Sequence, residues 1–179
     1  MTFPSFVPGE VLRSQDMNAV GMWLVGSTTV TAQTTGVVDG CFSSEYRNYM
    51  MTVNVTGGTT NTELQAQFRV GTTPTATAYN WQAPGALGAA YNGDANASDT
   101  KFPVTFVPNP ANNATSYFIG NPNVNVQTTF LGDWLYDDGG ARILRRVGGR
   151  QQSTNQFTGI QVFTSAAWTG NIRIYGIRN

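Results

Sequence analysis

The stretch Tyr46-Arg-Asn-Tyr-Met-Met-Thr-Val-Asn-Val55 decides the fold class of this chain. Apolar side chains recur in it at every second position, at Tyr49, Met51, Val53 and Val55. A period of two places such side chains on one face of a β-strand. The segment 64–70 repeats the pattern, with Leu64, Ala66, Phe68 and Val70 on one face. We therefore predict a protein built from strands that each turn one face toward a core.

Further strand-like segments follow one another from Trp23 onward, separated by clusters rich in Gly, Asn, Thr and Pro. They lie at 23–26, 28–32, 34–42, 102–107, 116–120, 124–131, 157–163 and 170–177. Residues 71–100 are rich in Ala, Thr, Gly and Asn, which predicts a long surface excursion. About eight short strands with such turns favour an all-β fold, an antiparallel β-sandwich of jelly-roll type. We expect the sandwich at 23–179 and a short extended or helical arm at 1–22.

Composition agrees with a folded β-protein. The chain has 179 residues, of which 40% are hydrophobic, 12% aromatic and only 11% charged. Disordered chains are usually more charged and poorer in aromatic residues. Ten basic and ten acidic residues give a net charge of zero, so no overall field attracts nucleic acid or an anionic membrane. A lightly charged surface is poor for solubility as a monomer, and this favours an oligomer.

The rare residue types exclude much enzyme chemistry. Cys41 is the only cysteine, and histidine is missing altogether. The chain therefore forms no intrachain disulfide, no thiolate metal cluster and no Ser-His or Cys-His nucleophile pair. We predict a protein that is not an enzyme and has no cofactor and no metal site. No apolar run approaches the ~20 residues of a membrane span and the start lacks signal-peptide features, so we expect a cytoplasm-like compartment.

One acidic cluster, Asp133-Trp-Leu-Tyr-Asp-Asp138, precedes two glycines. A pair of carboxylates can hydrolyse glycosides, and aromatic rings beside them can stack on a sugar. A hairpin turn at Asp-Asp-Gly-Gly explains the same residues without chemistry, and a calcium or sugar contact is a third interpretation. The candidate glycan contacts of the chain are Trp81, Tyr91, Trp134 and Tyr136.

The segment Arg142-Ile-Leu-Arg-Arg-Val-Gly-Gly-Arg150 contains four of the ten basic residues. Such a run can contact nucleic-acid phosphates. The neighbouring aspartates offset its charge, and we expect local or inter-subunit ion pairs instead. Cys41, which follows an apolar segment and precedes Phe42, is expected to be a buried small hydrophobe.

The first 20 residues differ from the rest. Pro4, Pro8 and Gly9 favour an extended or turned backbone, and Ser14 suits the cap of a short helical turn. Several apolar side chains stand in a segment too small to bury them: Phe3, Phe6, Val7 and Leu12. The arm either folds back on its own domain or inserts into a partner or neighbouring subunit.

Three passages resemble small virion proteins of tailed bacteriophages, of the tail-fibre, head-fibre or decoration type. The segment Phe6-Val-Pro-Gly-Glu-Val-Leu-Arg-Ser-Gln-Asp-Met-Asn-Ala-Val20 resembles the F-x-x-G-x-V-L-x-A-x-D-x-N opening of phage appendage proteins, with Ser14 in place of the usual alanine. The segment Phe42-Ser-Ser-Glu-Tyr-Arg-Asn-Tyr49 resembles the start of their central strand. The ending, 158–178, resembles their closing strand, G-x-I-R-V-Y-G. Together they cover about a quarter of the chain.

The resemblance implies a non-enzymatic structural protein of the virion, assembled in the host cytoplasm. By resemblance, the docking residues are Phe6, Val7, Gly9, Val11, Leu12, Asp16 and Asn18. They would attach a fibre or tail appendage to other virion proteins of the tail, the portal region or the capsid, while the sandwich forms a homotrimer. Two alternatives stay open: a capsid decoration or cement protein, and a module that binds host-surface carbohydrate. Neither nucleic-acid binding nor membrane insertion is expected.

Overall fold

The fold of the chain is all-β in the computed structural model, which describes residues 21–58, 60–87, 90–107, 113–138 and 141–178. For residues 86, 87, 90–92, 134–138 and 141–143 only the backbone is described. The strands are β1 (Met22–Val38), β2 (Asn48–Gly58), β3 (Thr62–Val70), β4 (Thr73–Pro74), β5 (Tyr79–Leu87), β6 (Ala90–Asp99), β7 (Phe102–Val107), β8 (Asn113–Gly120), β9 (Thr128–Asp138), β10 (Ala141–Gln151) and β11 (Gly159–Ile177). The predicted arm, 1–22, falls almost entirely outside the described residues.

All strands pair antiparallel in one strongly curled sheet. The large half has the order β6-β5-β10-β9-β8-β2, followed by the second part of β11 and the first part of β1. In the small half, β3 lies beside the first part of β11 and pairs with β4 and β7 on its other edge. The two halves face each other across one core, so the predicted sandwich class is confirmed.

The alternation that predicted the central strand also forms its buried face. Tyr49, Met51, Val53 and Val55 on β2 are all at most 1% exposed, as are Leu64, Ala66 and Phe68 on β3. Val70, the last residue of the β3 pattern, is 45% exposed because it lies where the strand ends. Full burial of such a side chain contributes about 1.5–3 kcal/mol, so these two strands account for a large part of the core.

An aromatic cluster joins the two halves at the centre of the core. The Phe68 ring on β3 lies 5.5 Å from Phe102 on β7 and 5.1 Å from Phe157, centroid to centroid. Phe102 in turn stacks on Phe130 of β9 with centroids 4.1 Å apart. Offset and tilted ring pairs of this kind add about 0.5–1.5 kcal/mol each beyond simple burial. The cluster therefore fixes how the small half sits on the large half.

The corner between the halves is built around Trp168. It is 1% exposed and lies where β11 passes from pairing with β3 to pairing with β2. Two glycines make room for its indole, because a Cβ at Gly170 would lie 2.9 Å from the ring and one at Gly36 3.5 Å from it. The neighbouring strand β1 bends at the same level, where Ala32 has a positive φ of 52°. Its backbone N–H donates to the Thr169 hydroxyl at 3.1 Å, which holds the two bends together.

The predicted surface excursion at 71–100 is wrong. Its residues form β4 and the β5–β6 hairpin, which extends the large half beyond β10. Tyr79 is fully buried, its ring stacks on Phe68 at 6.2 Å, and its hydroxyl accepts the Phe68 backbone N–H at 2.8 Å. One buried tyrosine and the pairing with β10 outweigh the weak strand propensity of the Ala, Gly and Asn residues.

Candidate functional site

The predicted docking residues of the arm lie outside the described residues. They are Phe6, Val7, Gly9, Val11, Leu12, Asp16 and Asn18. Their docking role stays a prediction. The described residues begin with Gly21. Strand β1 starts at Met22 and lies at the edge of the large half.

The predicted glycan contacts do not meet at one site. Trp81 on β5 is half-buried and packs against the core, and its indole N–H donates to Asp99 at 3.1 Å. Its cross-strand partner on β10 is Gly149, whereas Trp134 pairs with Arg145 four residues further along that strand. Four residues correspond to about 13 Å along a strand. Trp81 therefore shares no cross-strand row with Trp134.

The other two aromatic candidates are placed by their backbone. Tyr136 pairs with Ile143 and Tyr91 with Ala86, so both lie toward the same end of the sheet as Trp134. Their side chains belong to the undescribed part of the chain, and their glycan role stays a prediction.

The acidic cluster lies at the end of a hairpin. Asp138 of β9 pairs with Ala141 of β10, so the two strands form an antiparallel hairpin. This confirms the hairpin interpretation of Asp-Asp-Gly-Gly. Within 21–58, 60–87, 90–107, 113–138 and 141–178 no group of three or more Cys, Asp or Glu side chains could hold a metal ion.

The basic run forms β10 and makes local ion pairs, as expected. Arg146 pairs with Asp133 of β9 at 3.2 Å, on a surface where both side chains are more than half exposed. Arg145 points to the other face and pairs with Asp94 of β6. Two of the run's four arginines are thus neutralised by neighbouring strands.

Cys41 is buried, as expected, at 2% exposure. Burial raises the pKa of its thiol to about 12. The S–H group donates to the Val38 carbonyl at 3.3 Å. A thiol held protonated in this way is a poor nucleophile, so Cys41 is part of the packing.

A chain of hydrogen bonds crosses the outer side of the small half, which the sequence reasoning missed. Arg69 on β3 is 8% exposed and donates from Nε to the Asp39 carboxylate at 2.7 Å and from Nη1 to Gln161 at 2.8 Å. Gln161 continues the chain to Gln67 at 2.7 Å, and Gln67 donates to the Thr100 carbonyl at 2.9 Å. Each of these polar side chains has a partner, so this network ties the strands of the small half together.

The outer side of the large half carries an exposed apolar row. Residues in register on five adjacent strands form it: Leu24, Tyr175, Met50, Phe118 and Leu131. Leu24, Phe118 and Leu131 are 56%, 47% and 45% exposed, and Tyr175 and Met50 are half-buried. We call these five residues the outer apolar row. Of the seven large hydrophobic residues that are exposed in the described chain, five lie on this face.

A polar row runs beside the outer apolar row, two residues away along each strand except β1, where a bulge after Leu24 makes the step three residues. It contains Ser27, Arg173, Thr52, Ser116, Asp133 and Arg146. The small side chains at its centre leave a shallow open depression of about 350 Å³, lined by Thr52, Asn54, Ala114 and Ser116 among others. No acidic side chain among the described residues lies within ion-pair distance of Arg173.

The sequence contained a signal for this face. Alternation is broken where apolar residues follow one another directly, at Met50-Met51 in β2 and at Tyr117-Phe118-Ile119 in β8. One residue of such a run points into the core and its neighbour points out. Exposed apolar patches of this kind usually mark contact surfaces.

The described residues contain no helix that is long and apolar enough to cross a membrane. Comparison with protein-family models, with curated proteins and with solved structures finds no match.

Proposed function

We propose that this chain is a non-enzymatic structural protein of a tailed-phage virion, a fibre or tail appendage that docks through residues 6–18 and self-associates through its β-sandwich. The three passages that resemble phage virion proteins support the first part. The observation that carries the second part is the outer apolar row, where Phe118 and Leu131 are 47% and 45% exposed on a regular sheet face. A protein that works as a lone monomer gains nothing from keeping such a row in water.

The architecture suits this role. The sandwich is closely packed around an aromatic cluster, which makes it rigid. In the sequence the arm comes directly before β1, which lies at the edge of the large half. The outer face is then free for contacts between copies while the arm attaches the assembly to the particle. A capsid cement protein would use the same parts at another place on the particle, with the arm laced between capsid subunits.

Particles test the proposal directly. We expect mass spectrometry of virions, banded on a density gradient from the phage that encodes this chain, to contain the chain at a stoichiometric level. Labelling with gold-coupled antibody distinguishes the tail or fibre from the capsid surface. Particles that are complete and infectious without the chain would contradict a virion role.

The docking role of the arm is tested by substitution in the full chain. Phe6→Asp combined with Leu12→Asp places charges in the segment that resembles the docking motif, and we expect the purified chain to keep its fold but to disappear from particles. Val70→Asp, a charge on an exposed apolar side chain of the small half, is the matched control and should still be incorporated.

The host-glycan alternative rests on Trp81, Tyr91, Trp134 and Tyr136. The indole N–H of Trp81 is already bonded to Asp99, which leaves its ring edge less able to serve a sugar hydroxyl. A screen of the purified chain against an oligosaccharide array tests this alternative, and we expect no binding.

A further inference from the structure

The outer face of the large half is complementary to itself. Six strands of this face lie side by side in the order β1, β11, β2, β8, β9, β10. The midline of the six runs along the strands between β2 and β8. Consider a two-fold axis that lies on this midline, in the plane of contact, and runs parallel to the strands. Rotation about it places the same face of a second copy on the first. Each row of residues then lies opposite the same row of the other copy. Two sheets packed face to face in this aligned manner are a common arrangement, with about 10 Å between them.

Along the outer apolar row the axis places side chains of different size opposite each other. Met50 comes to face Phe118 of the second copy, and Tyr175 comes to face Leu131 of the second copy. Leu24, the most exposed side chain of the row, comes to face Gly148, which follows Leu131 in register on β10. Gly148 has no side chain, and the Leu131 methyl group lies 3.3 Å from where its Cβ would be. At each end of the row Leu24 thus meets a position that has no side chain of its own and is bordered by the Leu131 methyl group.

The same axis pairs opposite charges along the polar row. Arg173 lies on β11 and Asp133 on β9, three strand spacings apart in the order Arg173, Thr52, Ser116, Asp133. They are equally far from the midline, so Arg173 of each copy lies opposite Asp133 of the other. Arg173 is exposed and has no acidic partner among the described residues. Asp133 already pairs with Arg146 of its own chain, so each of the two inter-copy ion pairs, one on each side of the axis, adds a second arginine to that carboxylate.

The extent of the face suits a stable contact. The face is six strands wide and four residue rows long, namely the outer apolar row, the polar row and the next row on either side. It covers about 30 Å by 25 Å including side chains, roughly 750 Å². This is near the ~800 Å² that each partner buries in a standard interface. The depression lined by Thr52 and Ser116 lies on the midline. Its hydroxyl groups suit bridging water, which such interfaces commonly contain.

We propose that the occupant of this face is a second copy of the chain, related by this two-fold axis. The inference rests on the part of the proposed function that the sandwich self-associates, and it replaces the threefold assembly that the resemblance implies with a two-fold contact at this face. It is independent of where on the particle the assembly is attached.

The mass of the full-length chain in solution is the first test. We expect light scattering to give about 39 kDa, twice the 19.3 kDa of one chain, at micromolar concentration. Phe118→Asp should give a monomer with an unchanged near-ultraviolet circular dichroism spectrum. Val70→Asp, with 45% exposure against 47% for Phe118, is the matched control and should remain a dimer.

A charge exchange tests the geometry of the contact. Arg173→Asp and Asp133→Arg are made in separate chains, and each alone places like charges opposite each other twice in a symmetric pair. We expect each variant to raise the dimer dissociation constant by roughly 100-fold or more. An equimolar mixture should recover dimers, because both ion pairs are restored in the mixed species. Both variants are exposed surface changes that leave the core untouched.

The outcomes separate this proposal from the proposed function. A trimer whose mass is unaffected by the charge exchange overturns the two-fold contact and leaves a self-associating virion protein. A full-length monomer overturns both the contact and the self-association, while the particle analysis still decides the virion role. A dimer that survives Phe118→Asp overturns this face as its interface.

Discussion

The Tyr117 hydroxyl on β8 donates to the Pro103 carbonyl on β7 at 2.9 Å and lies 3.2 Å from the Val104 carbonyl. The bond crosses the core from the large half to the small half, and both residues are buried. Burial also raises the pKa of the Tyr117 hydroxyl well above its ordinary value. The hydroxyl therefore stays protonated at neutral pH and can keep donating there.

Tyr117→Phe removes this donor and leaves two buried carbonyl groups with one partner fewer. We expect the free energy of unfolding to fall by about 1–2 kcal/mol, measured by urea titration at neutral pH. Tyr175→Phe is the control, because its half-buried side chain lies on the outer face, and it should change the stability by less than ~0.5 kcal/mol. Equal losses in the two variants would contradict a special role for the Tyr117 bond.

Gly170→Ala forces a Cβ against the Trp168 ring, 2.9 Å away, and still closer to the Asn54 carbonyl. Because neither group can move without disturbing the bend of β11, we expect a loss of about 1–3 kcal/mol in the same titration. Gly57 lies nearby on β2, where a Cβ would approach nothing closer than Thr169 at 3.9 Å. Gly57→Ala should therefore be neutral or slightly stabilising.

Arg69→Met removes the centre of the polar network on the small half. The Arg69 guanidinium donates hydrogen bonds to Asp39, Gln161 and the Thr72 carbonyl. Since Asp39 is 44% exposed and can return to water, we expect a moderate loss of about 1–3 kcal/mol rather than the larger cost of a fully buried pair. Arg173→Met, at an exposed arginine, is the control, and the two should differ clearly in urea midpoint under conditions in which the chain is monomeric.

The buried thiol predicts a loss of stability in alkali. The pKa of Cys41 rises from 9.0 to about 12 on folding, because burial disfavours the thiolate. The unfolded chain therefore loses this proton first, so the contribution is complete below about pH 9 and is lost as the pH rises toward 12, with a slope of about 1.4 kcal/mol per pH unit. Cys41→Ala should flatten the stability curve between these values.

The chemical reactivity of Cys41 provides a second measurement. At pH 8 we expect the folded chain to react with a thiol reagent only as fast as it unfolds, and at the normal rate in urea. Rapid reaction of the native protein would mean that the thiol is not buried as described.

The buried half of the sheet could be predicted from the sequence, and the reason is visible in β2. A period of two over Tyr49, Met51, Val53 and Val55 leaves only one way to bury that face, and all four are buried. Residues 71–100 offered no such pattern. Their strands are held by Tyr79 in the core and by a ladder to β10, and a long-range partner cannot be read from local composition.

At both ends of the domain, segments predicted as separate strands show another limit of prediction from sequence. One bent strand, β1, contains the segments 23–26 and 28–32 and part of 34–42. One strand, β11, contains the segment 170–177 and most of 157–163. The residues between the last two segments, 164–169, show no apolar alternation and read as a break between strands. In the structure they form the corner around Trp168, where glycine is needed for close packing rather than for chain reversal. The outer apolar row was missed because its residues come from five strands far apart in sequence.

The position of β11 has a consequence for how the chain is made. It is the last of the eleven strands to leave the ribosome, yet it pairs with β1, β2 and β3. During synthesis β2 can pair with β8, and β3 with β4 and β7, before β11 emerges, whereas β1 pairs only with β11 among the described strands. The hydrogen-bonded join between the two halves therefore forms only when β11 has been made, because its first part pairs with β3 and its second part with β2.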